Sequence, residues 1–304
     1  MIRVLVTDGM EKSALEELKI RGFEVVEKFY EPEILGEVLK DFDILVVRSA
    51  TKVRKAVLDK AAEGRRLKLI IRGGVGVDNI DVDYAELKGI KVANTPNASS
   101  SSVAELTIGH MFALARFINM SNVTMREGKW EKKRYEGVEL YGKTLGLIGF
   151  GRIAKEVAKR AYALGMKVIY TDVLGKAEGF SQYEFTDMNE LLKQSDFISL
   201  HIPYNKDQGA VVSYEQFELM KQGTYLINCA RGGVVNEKAL IEALNSGKLA
   251  GAAIDVFEEE PTRNEELFRH PRVSITPHIG ASTLEAQSRI GEEIVSIITD
   301  NFAA

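Results

Sequence analysis

The sequence predicts an α/β protein with two domains, each built on a doubly wound parallel sheet. The first observation is that short apolar runs, which indicate buried strands, alternate with helical segments along nearly the whole chain. The second is the length of 304 residues, which suits two domains. The third is a glycine-rich turn near the middle of the chain that stands between an apolar strand and a helix.

The bulk composition narrows the classes of function. The chain is 45% hydrophobic and 28% charged, which is typical of a soluble globular protein. A net charge of -4 offers no basic surface for nucleic acid, and no apolar run approaches the ~18 residues of a membrane span. The single cysteine suits a reducing compartment, and no secretory signal precedes the first strand. We therefore expect a cytoplasmic protein without nucleic-acid or membrane partners, and we predict no metal site.

The first third of the chain alternates strands and helices in the order expected of one doubly wound sheet. Its predicted strands are 2–7, 24–26, 44–47 and 67–71. Ser13 is predicted to cap the first helix, and further helices are predicted near 34–39 and 57–61. Ligands of such sheets bind beyond the carboxyl ends of the strands, so segments 48–51 and 72–79 are candidate binding loops.

Residues 94–97 interrupt the alternation and indicate a crossing between domains. The serines at 99–102 are predicted to cap a long helix that continues to Leu114. This helix is apolar on nearly every side, which predicts burial between domains or subunits. The basic run 132–134 has two interpretations, a solvated surface or a phosphate site.

The glycine-rich turn fits the dinucleotide-binding fingerprint. Gly149 permits the tight turn, Gly151 lets a pyrophosphate approach the backbone, and Ala154 lets the next helix pack close to the strand. That helix offers free N–H groups and its positive dipole end to the phosphates. The strand 168–171 then ends at Asp172, which lies 21 positions after Gly151 and is suited to hold the ribose hydroxyls of NAD. The alternative is an ordinary β-α-β unit whose glycines serve packing only.

The alternation then resumes and continues to the end of the chain. The predicted strands are 197–201, 225–229, 252–255 and 273–276. The segment from Thr283 onward is predicted to form an amphipathic helix. The apolar stripe of this helix consists of Ala286, Ile290, Ile294 and Ile297.

Four side chains with useful chemistry fall at or just after carboxyl ends of these strands, namely Arg231, Asp255, Glu260 and His278. A 2-hydroxy acid dehydrogenase needs a planar cation for the substrate carboxylate, which favours Arg231. It needs an acid/base that titrates near neutral pH, which favours His278. It also needs a carboxylate that stabilises the protonated histidine, and by chemistry alone the glutamates at 258–260 are equally suited.

Each of these residues also has a structural interpretation. Arg231 lies beside two glycines and could be an ordinary surface cation. His278 follows a proline and could be a packing histidine. Cys229, at the end of its strand, is interpreted as a small buried hydrophobe rather than a nucleophile.

The blocks around these residues resemble those of a known family. Residues 228–233, 255–261 and 277–283 are similar to the signature blocks of the D-isomer-specific 2-hydroxyacid dehydrogenases. Four further blocks are more like the phosphoglycerate dehydrogenase branch of that family, namely 76–79, 94–97, 128–130 and 285–287. The blocks keep their order and span nearly the whole chain.

The resemblance implies the organisation of the domains. Residues 1–97 together with 283–304 are expected to form a smaller, flavodoxin-like and discontinuous substrate-binding domain. Residues 98–282 are expected to form a Rossmann NAD-binding domain, whose helix near 104–114 serves dimerisation. The resemblance thus implies a homodimer or a dimer of dimers that acts on a small molecule.

The resemblance also implies roles for single residues. Arg231 matches the arginine that binds the substrate carboxylate, and His278 matches the general acid/base. Glu260, immediately before Pro261, matches the glutamate of the dyad. The expected cofactor contacts are Gly149, Gly151, Arg152, Ile153, Asp172, Pro203, Cys229, Ala230, Asp255, Gly280 and Val75. The expected substrate contacts are Arg48, Ser49, Gly73, Gly74 and Asn97.

The expected activity is the NAD-dependent oxidation of D-3-phosphoglycerate to 3-phosphohydroxypyruvate. Arg48 is the candidate for binding the substrate phosphate because it follows the strand 44–47, although it could instead be a structural cation. Alternative functions are a glyoxylate or hydroxypyruvate reductase and a non-catalytic NAD-sensing protein.

Two positions depart from the common pattern of the family, Ala154 in place of a glycine and Ile202 in place of a threonine. The chain ends without the regulatory domain of longer relatives, so no serine feedback through such a domain is expected.

Overall fold

The computed structural model describes residues 1–302, so the last two residues of the predicted segment 283–304 lie outside the described part. Within residues 1–302 the strands are β1 Arg3–Val6, β2 Glu24–Glu27, β3 Ile44–Val47, β4 Leu69–Arg72, β5 Lys91–Asn94, β6 Thr144–Ile148, β7 Lys167–Thr171, β8 Glu184–Phe185, β9 Phe197–Leu200, β10 Thr224–Asn228, β11 Leu249–Ile254 and β12 Val273–Ile275.

The helices of the same range alternate with these strands. They are α1 Lys12–Ile20, α2 Pro32–Val38, α3 Lys55–Glu63, α4 Val82–Leu87, α5 Ser100–Ala115, α6 Ile118–Arg126, α7 Arg152–Ala163, α8 Met188–Gln194, α9 Tyr214–Leu219, α10 Glu237–Asn245, α11 Glu265–Phe268 and α12 Leu284–Phe302. Two short 3-10 helices lie at Leu39–Asp41 and Lys132–Arg134.

The chain divides into two compact units. The first contains Met1–Ser99 and the segment from Ala281 onward, and the second contains Ser100–Gly280. These boundaries differ by two residues from the predicted ones at 97/98 and 282/283. The first unit is discontinuous, since α12 joins a sheet formed by the beginning of the chain.

The first unit is a five-stranded sheet in the order β2-β1-β3-β4-β5, with every described pair of neighbours parallel. This is the flavodoxin-like order. Apolar side chains on one face of the sheet pack against α12, which contributes Ile290, Ile294, Val295 and Ile298. Ile297, predicted to belong to the apolar stripe, is only half-buried.

The second unit is a seven-stranded parallel sheet in the order β12-β11-β10-β9-β6-β7-β8. The direction of strand addition reverses at β6, which has β7 on one side and β9 on the other. In a doubly wound sheet this switch point is where a dinucleotide binds. The predicted fold class, two doubly wound parallel sheets with a Rossmann domain as the larger, is confirmed.

Three details differ from the sequence-based expectations. The predicted cap at Ser13 is wrong, because the carboxylate of Glu11 accepts the free N–H of Ala14 at 3.1 Å and Ser13 lies inside the helix. The longer glutamate side chain reaches this N–H from outside the first turn. The sequence also did not predict β5 or β8, since β5 begins at an exposed lysine and β8 has only two residues, both exposed.

Substitution at Gly146 in β6 tests how closely the Rossmann sheet packs against α8. A Cβ at this position would lie 2.2 Å from Ser195 Oγ and 2.7 Å from Leu191 Cδ2. Overpacking of this kind costs about 1–3 kcal/mol, so Gly146→Ala should lower the melting temperature by several degrees. The control is Gly109→Ala in α5, where a Cβ meets nothing within 4 Å and alanine favours the helix. A Gly146→Ala protein that melts at the wild-type temperature would contradict this packing.

Candidate active site

The turn after β6 has the form of a phosphate cradle. Gly149 has φ +87°, and a Cβ there would lie 2.5 Å from the carbonyl oxygen of His201, so only glycine fits. Gly151 has open space on its Cβ side and stands at the amino end of α7. Within the described residues, no side chain caps that end of α7. The fully buried Ala154 permits the close approach of helix to strand, so these residues fit the pyrophosphate of a dinucleotide.

Asp172 lies at the end of β7 and is tied to the same turn. One carboxylate oxygen accepts the Phe150 N–H at 2.6 Å, and the other accepts the Leu174 N–H at 2.9 Å. The carboxylate is therefore held at the edge of the cradle. Each of its oxygens has a further lone pair, which suits it to accept hydrogen bonds from ribose hydroxyls.

The Arg231 loop follows β10 and is closed by Asn228. The Asn228 side chain accepts the Ala230 N–H at 3.1 Å and donates to the Arg231 carbonyl at 3.0 Å. A Cβ at Gly232 would lie 1.7 Å from the carbonyl oxygen of Phe257, so only glycine permits this contact. The loop that carries Arg231 thus packs directly on the loop that leads to Glu260.

Glu260 and His278 form a hydrogen-bonded pair. His278 Nδ1 lies 2.7 Å from Glu260 Oε2, and the two side chains are 38% and 37% exposed. Glu260 Oε1 accepts the Phe257 N–H at 3.1 Å. Burial raises the pKa of the Glu260 carboxyl, whereas the hydrogen bond and the charge of His278 lower it. The Phe257 N–H and the charge of Arg231 act in the same direction, and the pKa of Glu260 is held below its ordinary value.

The predicted dyad is thus brought together, and the choice among the three glutamates follows from geometry. Glu258 faces away from it, since its carboxylate accepts the N–H of Glu237 at the start of α10. An ionised Glu260 orients the imidazole through Nδ1 and stabilises its protonated form. The pair can therefore hold and release a proton at the other ring nitrogen, Nε2.

The buried carboxylate of Asp255 anchors the His278 loop. Asp255 is 1% exposed. Its Oδ1 accepts from the Thr276 hydroxyl at 2.5 Å and the Ile279 N–H at 2.9 Å. Its Oδ2 accepts the Gly280 N–H at 2.9 Å. Asp255 thereby holds the backbone through hydrogen bonds on both sides of His278. His278 itself has a left-handed φ of +52°.

The remaining predicted cofactor contacts of this unit lie near the same edge of the sheet. Arg152 and Ile153 form the first turn of α7, and Pro203 is exposed just past β9. Cys229 is buried directly after β10. Burial and the charge of Asp255 raise the pKa of the Cys229 thiol to about 12, so the thiol stays protonated and is no nucleophile.

In the first unit, the loop carrying Arg48 and Ser49 is held at both ends. Asp8 Oδ2 accepts the N–H of Arg48 at 2.8 Å and that of Thr51 at 3.0 Å. Asn79 Nδ2 donates to the carbonyls of the same two residues, each at 2.8 Å. Among residues 1–302 no hydrogen bond or ion pair is formed by the Arg48 guanidinium. Arg48 is therefore placed by its backbone while its charge remains available.

The other predicted contacts of the first unit follow β4 and β5. Gly73 lies against Ile290 and Ile294 of α12. Gly74 has φ +143°, a conformation that suits glycine. Val75 accepts from the Asn94 side chain through its carbonyl at 2.5 Å. Asn97 is exposed, and its amide donates to Glu293 at 3.2 Å.

Comparison with known proteins identifies the family. Residues 108–280 match the family model described as the NAD-binding domain of D-isomer-specific 2-hydroxyacid dehydrogenases. The chain belongs to this family. A D-3-phosphoglycerate dehydrogenase of Methanocaldococcus jannaschii is 47% identical over the whole chain, which spans 59% of that relative's length. A hydroxypyruvate reductase of Thermotoga maritima is 48% identical over 97% of both chains.

Among solved structures of the family, a D-lactate dehydrogenase of Aquifex aeolicus in complex with NAD and lactic acid is 34% identical, with a TM-score of 0.85 over 98% of this chain and 95% of that one. The predicted family and the predicted cofactor are thereby confirmed. The roles of single residues, the use of the helix near 104–114 in dimerisation, and the choice of substrate stay predictions.

Several residues that shape the site had not been predicted. Asn228 lies in a block used for the resemblance, yet its role in closing the Arg231 loop emerges only from the structure. Asp8 lies two residues after β1, and Asn79 lies in the predicted binding loop after β4, but their contacts with the Arg48 loop were not predicted. Thr276 directly follows β12, but its contact with Asp255 joins positions 21 apart and no local pattern predicts it.

No helix among residues 1–302 has both the length and the apolar character needed to cross a membrane. In that same range, no group of three or more His, Cys, Asp or Glu side chains is arranged to hold a metal ion.

The position of Asp172 predicts that the protein prefers NADH to NADPH. A 2′-phosphate would meet the Asp172 carboxylate, whereas a free 2′-hydroxyl donates to it. Since a charge-assisted hydrogen bond contributes ~1.5–3 kcal/mol, kcat/KM should favour NADH by roughly tenfold or more. Asp172→Asn removes the charge at nearly constant size. It should therefore reduce the ratio of kcat/KM with NADH to kcat/KM with NADPH. Equal kcat/KM values for the two cofactors in the wild type would contradict this role.

Proposed function

We propose that the protein is an NAD-dependent dehydrogenase that interconverts D-3-phosphoglycerate and 3-phosphohydroxypyruvate. The proposal rests above all on the 2.7 Å contact between His278 Nδ1 and Glu260 Oε2. The charge of Arg231 also acts on the Glu260 carboxyl. A non-catalytic NAD-sensing protein has no need of an oriented acid/base. The pair therefore favours catalysis over a purely binding role.

In the proposed reaction Arg231 binds the substrate carboxylate. Its planar guanidinium can form two parallel hydrogen bonds, which fixes the C2 atom relative to His278. Because Nδ1 is directed to Glu260, Nε2 takes the proton of the C2 hydroxyl during oxidation and returns it during reduction. Glu260 stabilises the positive charge that the imidazole gains on taking the proton. Bound NAD+ supplies the hydride acceptor for C2.

The phosphate of the substrate is assigned to the loop at the end of β3. Arg48 offers a guanidinium without a partner in residues 1–302, on a loop whose backbone Asp8 and Asn79 hold in place. Ser49 is exposed beside it and adds a hydroxyl donor. The alternative, a structural cation that bonds strand-end carbonyls, is disfavoured because the Arg48 guanidinium donates to no carbonyl within residues 1–302.

A hydroxypyruvate reductase is the second candidate function. It is favoured by the Thermotoga maritima relative, which is as similar to this chain as the phosphoglycerate dehydrogenase and matches it over 97% of both lengths. The two candidates share the dyad and Arg231, so they differ only in whether a phosphate is recognised. The wild-type preference between 3-phosphohydroxypyruvate and hydroxypyruvate decides between them.

Removal of either member of the dyad should impair turnover. His278→Asn should lower kcat by ~10²–10⁴-fold, the usual contribution of a general acid/base, while NADH still binds with unchanged affinity. Glu260→Gln should be milder and should move the alkaline limit of the reduction rate to lower pH, because the protonated imidazole loses its carboxylate. A Glu260→Gln enzyme with the wild-type pH profile would show that the pair is wrongly assigned.

Loss of the Arg48 guanidinium should impair turnover of the phosphorylated substrate selectively. Arg48→Ala should reduce kcat/KM for 3-phosphohydroxypyruvate roughly ten- to a hundredfold more than for hydroxypyruvate, since a charge-assisted hydrogen bond contributes ~1.5–3 kcal/mol. The matched control is Arg54→Ala, which removes an exposed guanidinium of the same unit that is paired with Asp81. Equal losses on the two substrates would mean that Arg48 does not bind the phosphate. A wild type that prefers hydroxypyruvate would replace the first candidate function with the second.

A further inference from the structure

A buried histidine lies outside the proposed dyad, on the helix α5. His110 is 4% exposed in an otherwise apolar helix. Its Nδ1 lies 3.0 Å from the Ser274 hydroxyl, and its Nε2 lies 3.0 Å from the Thr276 hydroxyl. Burial lowers the pKa of His110 and outweighs the charge of Asp255, which raises it. The imidazole is therefore neutral near pH 7, with one nitrogen as donor and the other as acceptor.

The tautomer of His110 follows from the hydrogen bonds that its two neighbours, Thr276 and Ser274, can form. Both oxygens of the Asp255 carboxylate accept backbone N–H groups, so the Thr276 hydroxyl donates its single proton to Asp255 Oδ1 across 2.5 Å. Thr276 Oγ1 must then accept from His110, which places the proton on Nε2. His110 Nδ1 in turn accepts the proton of the Ser274 hydroxyl.

The relay continues to the surface of the helix α6. The amide nitrogen of the exposed Asn119 donates to Ser274 Oγ at 2.6 Å. Every hydrogen in the series Asn119, Ser274, His110, Thr276 thus points toward Asp255. Donors aligned in one direction polarise one another, which strengthens the last bond to the carboxylate. We call these four residues the Asp255 relay.

The end of the Asp255 relay is the anchor of the His278 loop. Besides the Thr276 hydroxyl, the Asp255 carboxylate accepts only from the backbone N–H groups of Ile279 and Gly280, as far as the described residues show. A Cβ at Gly280 would lie 3.2 Å from Asp255 Oδ2 and 3.3 Å from Val103, so a side chain there would press against the anchor. The orientation of this one carboxylate sets where the backbone places His278.

We propose that His110 is a positioning residue for His278, acting through Thr276 and Asp255 as an Nε2–H imidazole. The proposal rests on the proposed role of His278 as the acid/base. The competing explanation is that His110 only satisfies buried hydroxyl groups. In that case its substitution would change stability without a selective effect on turnover.

Two substitutions of His110 separate these explanations. A glutamine amide reaches the position of Nε2 and can still donate to Thr276, whereas an asparagine amide reaches only the position of Nδ1. His110→Asn should therefore lower kcat about ten- to a hundredfold, since misplacement of a reacting group by ~1 Å costs on the order of 10². His110→Gln should stay within a few-fold of the wild type. The KM of the 2-keto acid, which depends on Arg231, should change less than kcat in both variants.

A double-mutant cycle tests whether the effect passes through Thr276. If it does, His110→Asn combined with Thr276→Val should be no slower than Thr276→Val alone, because the path is already broken. Ser274→Ala should also lower kcat, and Ser195→Ala is its matched control. Ser195 is a buried serine of the same unit whose hydroxyl donates to the Leu191 carbonyl at 2.7 Å, outside the relay. The Ser195→Ala variant should have a lower melting temperature than the wild type but an unchanged kcat.

Two results would overturn the proposal. One is an equal kcat for His110→Asn and His110→Gln. The other is a fold-loss of kcat in the His110→Asn, Thr276→Val double variant that equals the product of the two single fold-losses. The ring tautomer gives a test that needs no turnover. The chain has 4 histidines, so ¹⁵N NMR can assign each ring, and His110 should carry its proton on Nε2 at neutral pH.

A proton on Nδ1 would reverse the relay and contradict the proposal even in an active enzyme. A wild type that turns over no 2-hydroxy acid would instead overturn the proposed function. The tautomer would then still decide whether the relay is built as described. The two failures are therefore distinguishable.

Discussion

The fold around the proposed active site depends on one buried charge. Asp255 sits at the end of β11 with 1% of its surface exposed, and a carboxylate in such a place is costly unless donors surround it. The donors come from the segment after β12, where Thr276, Ile279 and Gly280 supply a hydroxyl and two backbone N–H groups. Satisfying the charge therefore fixes the loop that presents His278.

Glycine makes the neighbouring loops compatible with this arrangement. Gly232 lets the Arg231 loop touch the backbone at Phe257, and Gly280 lets the His278 loop approach Asp255. At both places a side chain would push apart the groups that the proposed chemistry needs together. The close approach of three strand-end loops, rather than any single strong bond, gives Arg231 and the dyad their common location.

The sequence predicted the parts of this site that follow from topology. Carboxyl ends of parallel strands meet at one edge, so Arg231 and His278 were found from strand patterns, while Glu260 required the family resemblance. Side-chain hydrogen-bond networks could not be predicted from the sequence. The contact between His110 and Thr276 joins positions 166 apart, and no local sequence pattern indicates it. The cap at Glu11 was missed because Ser13 satisfies the usual residue preference, although it lies two residues too late to cap the helix.

The proposed reaction transfers the hydride from C2 of a D-2-hydroxy acid to bound NAD+ while His278 takes the hydroxyl proton. The most direct measurement uses D-3-phosphoglycerate with deuterium at C2 and NAD+, with mass spectrometry of the reduced cofactor. We predict one deuterium in each NADH formed, and no NADH from the L-isomer. NADH without deuterium, or equal reaction of the two isomers, would contradict it.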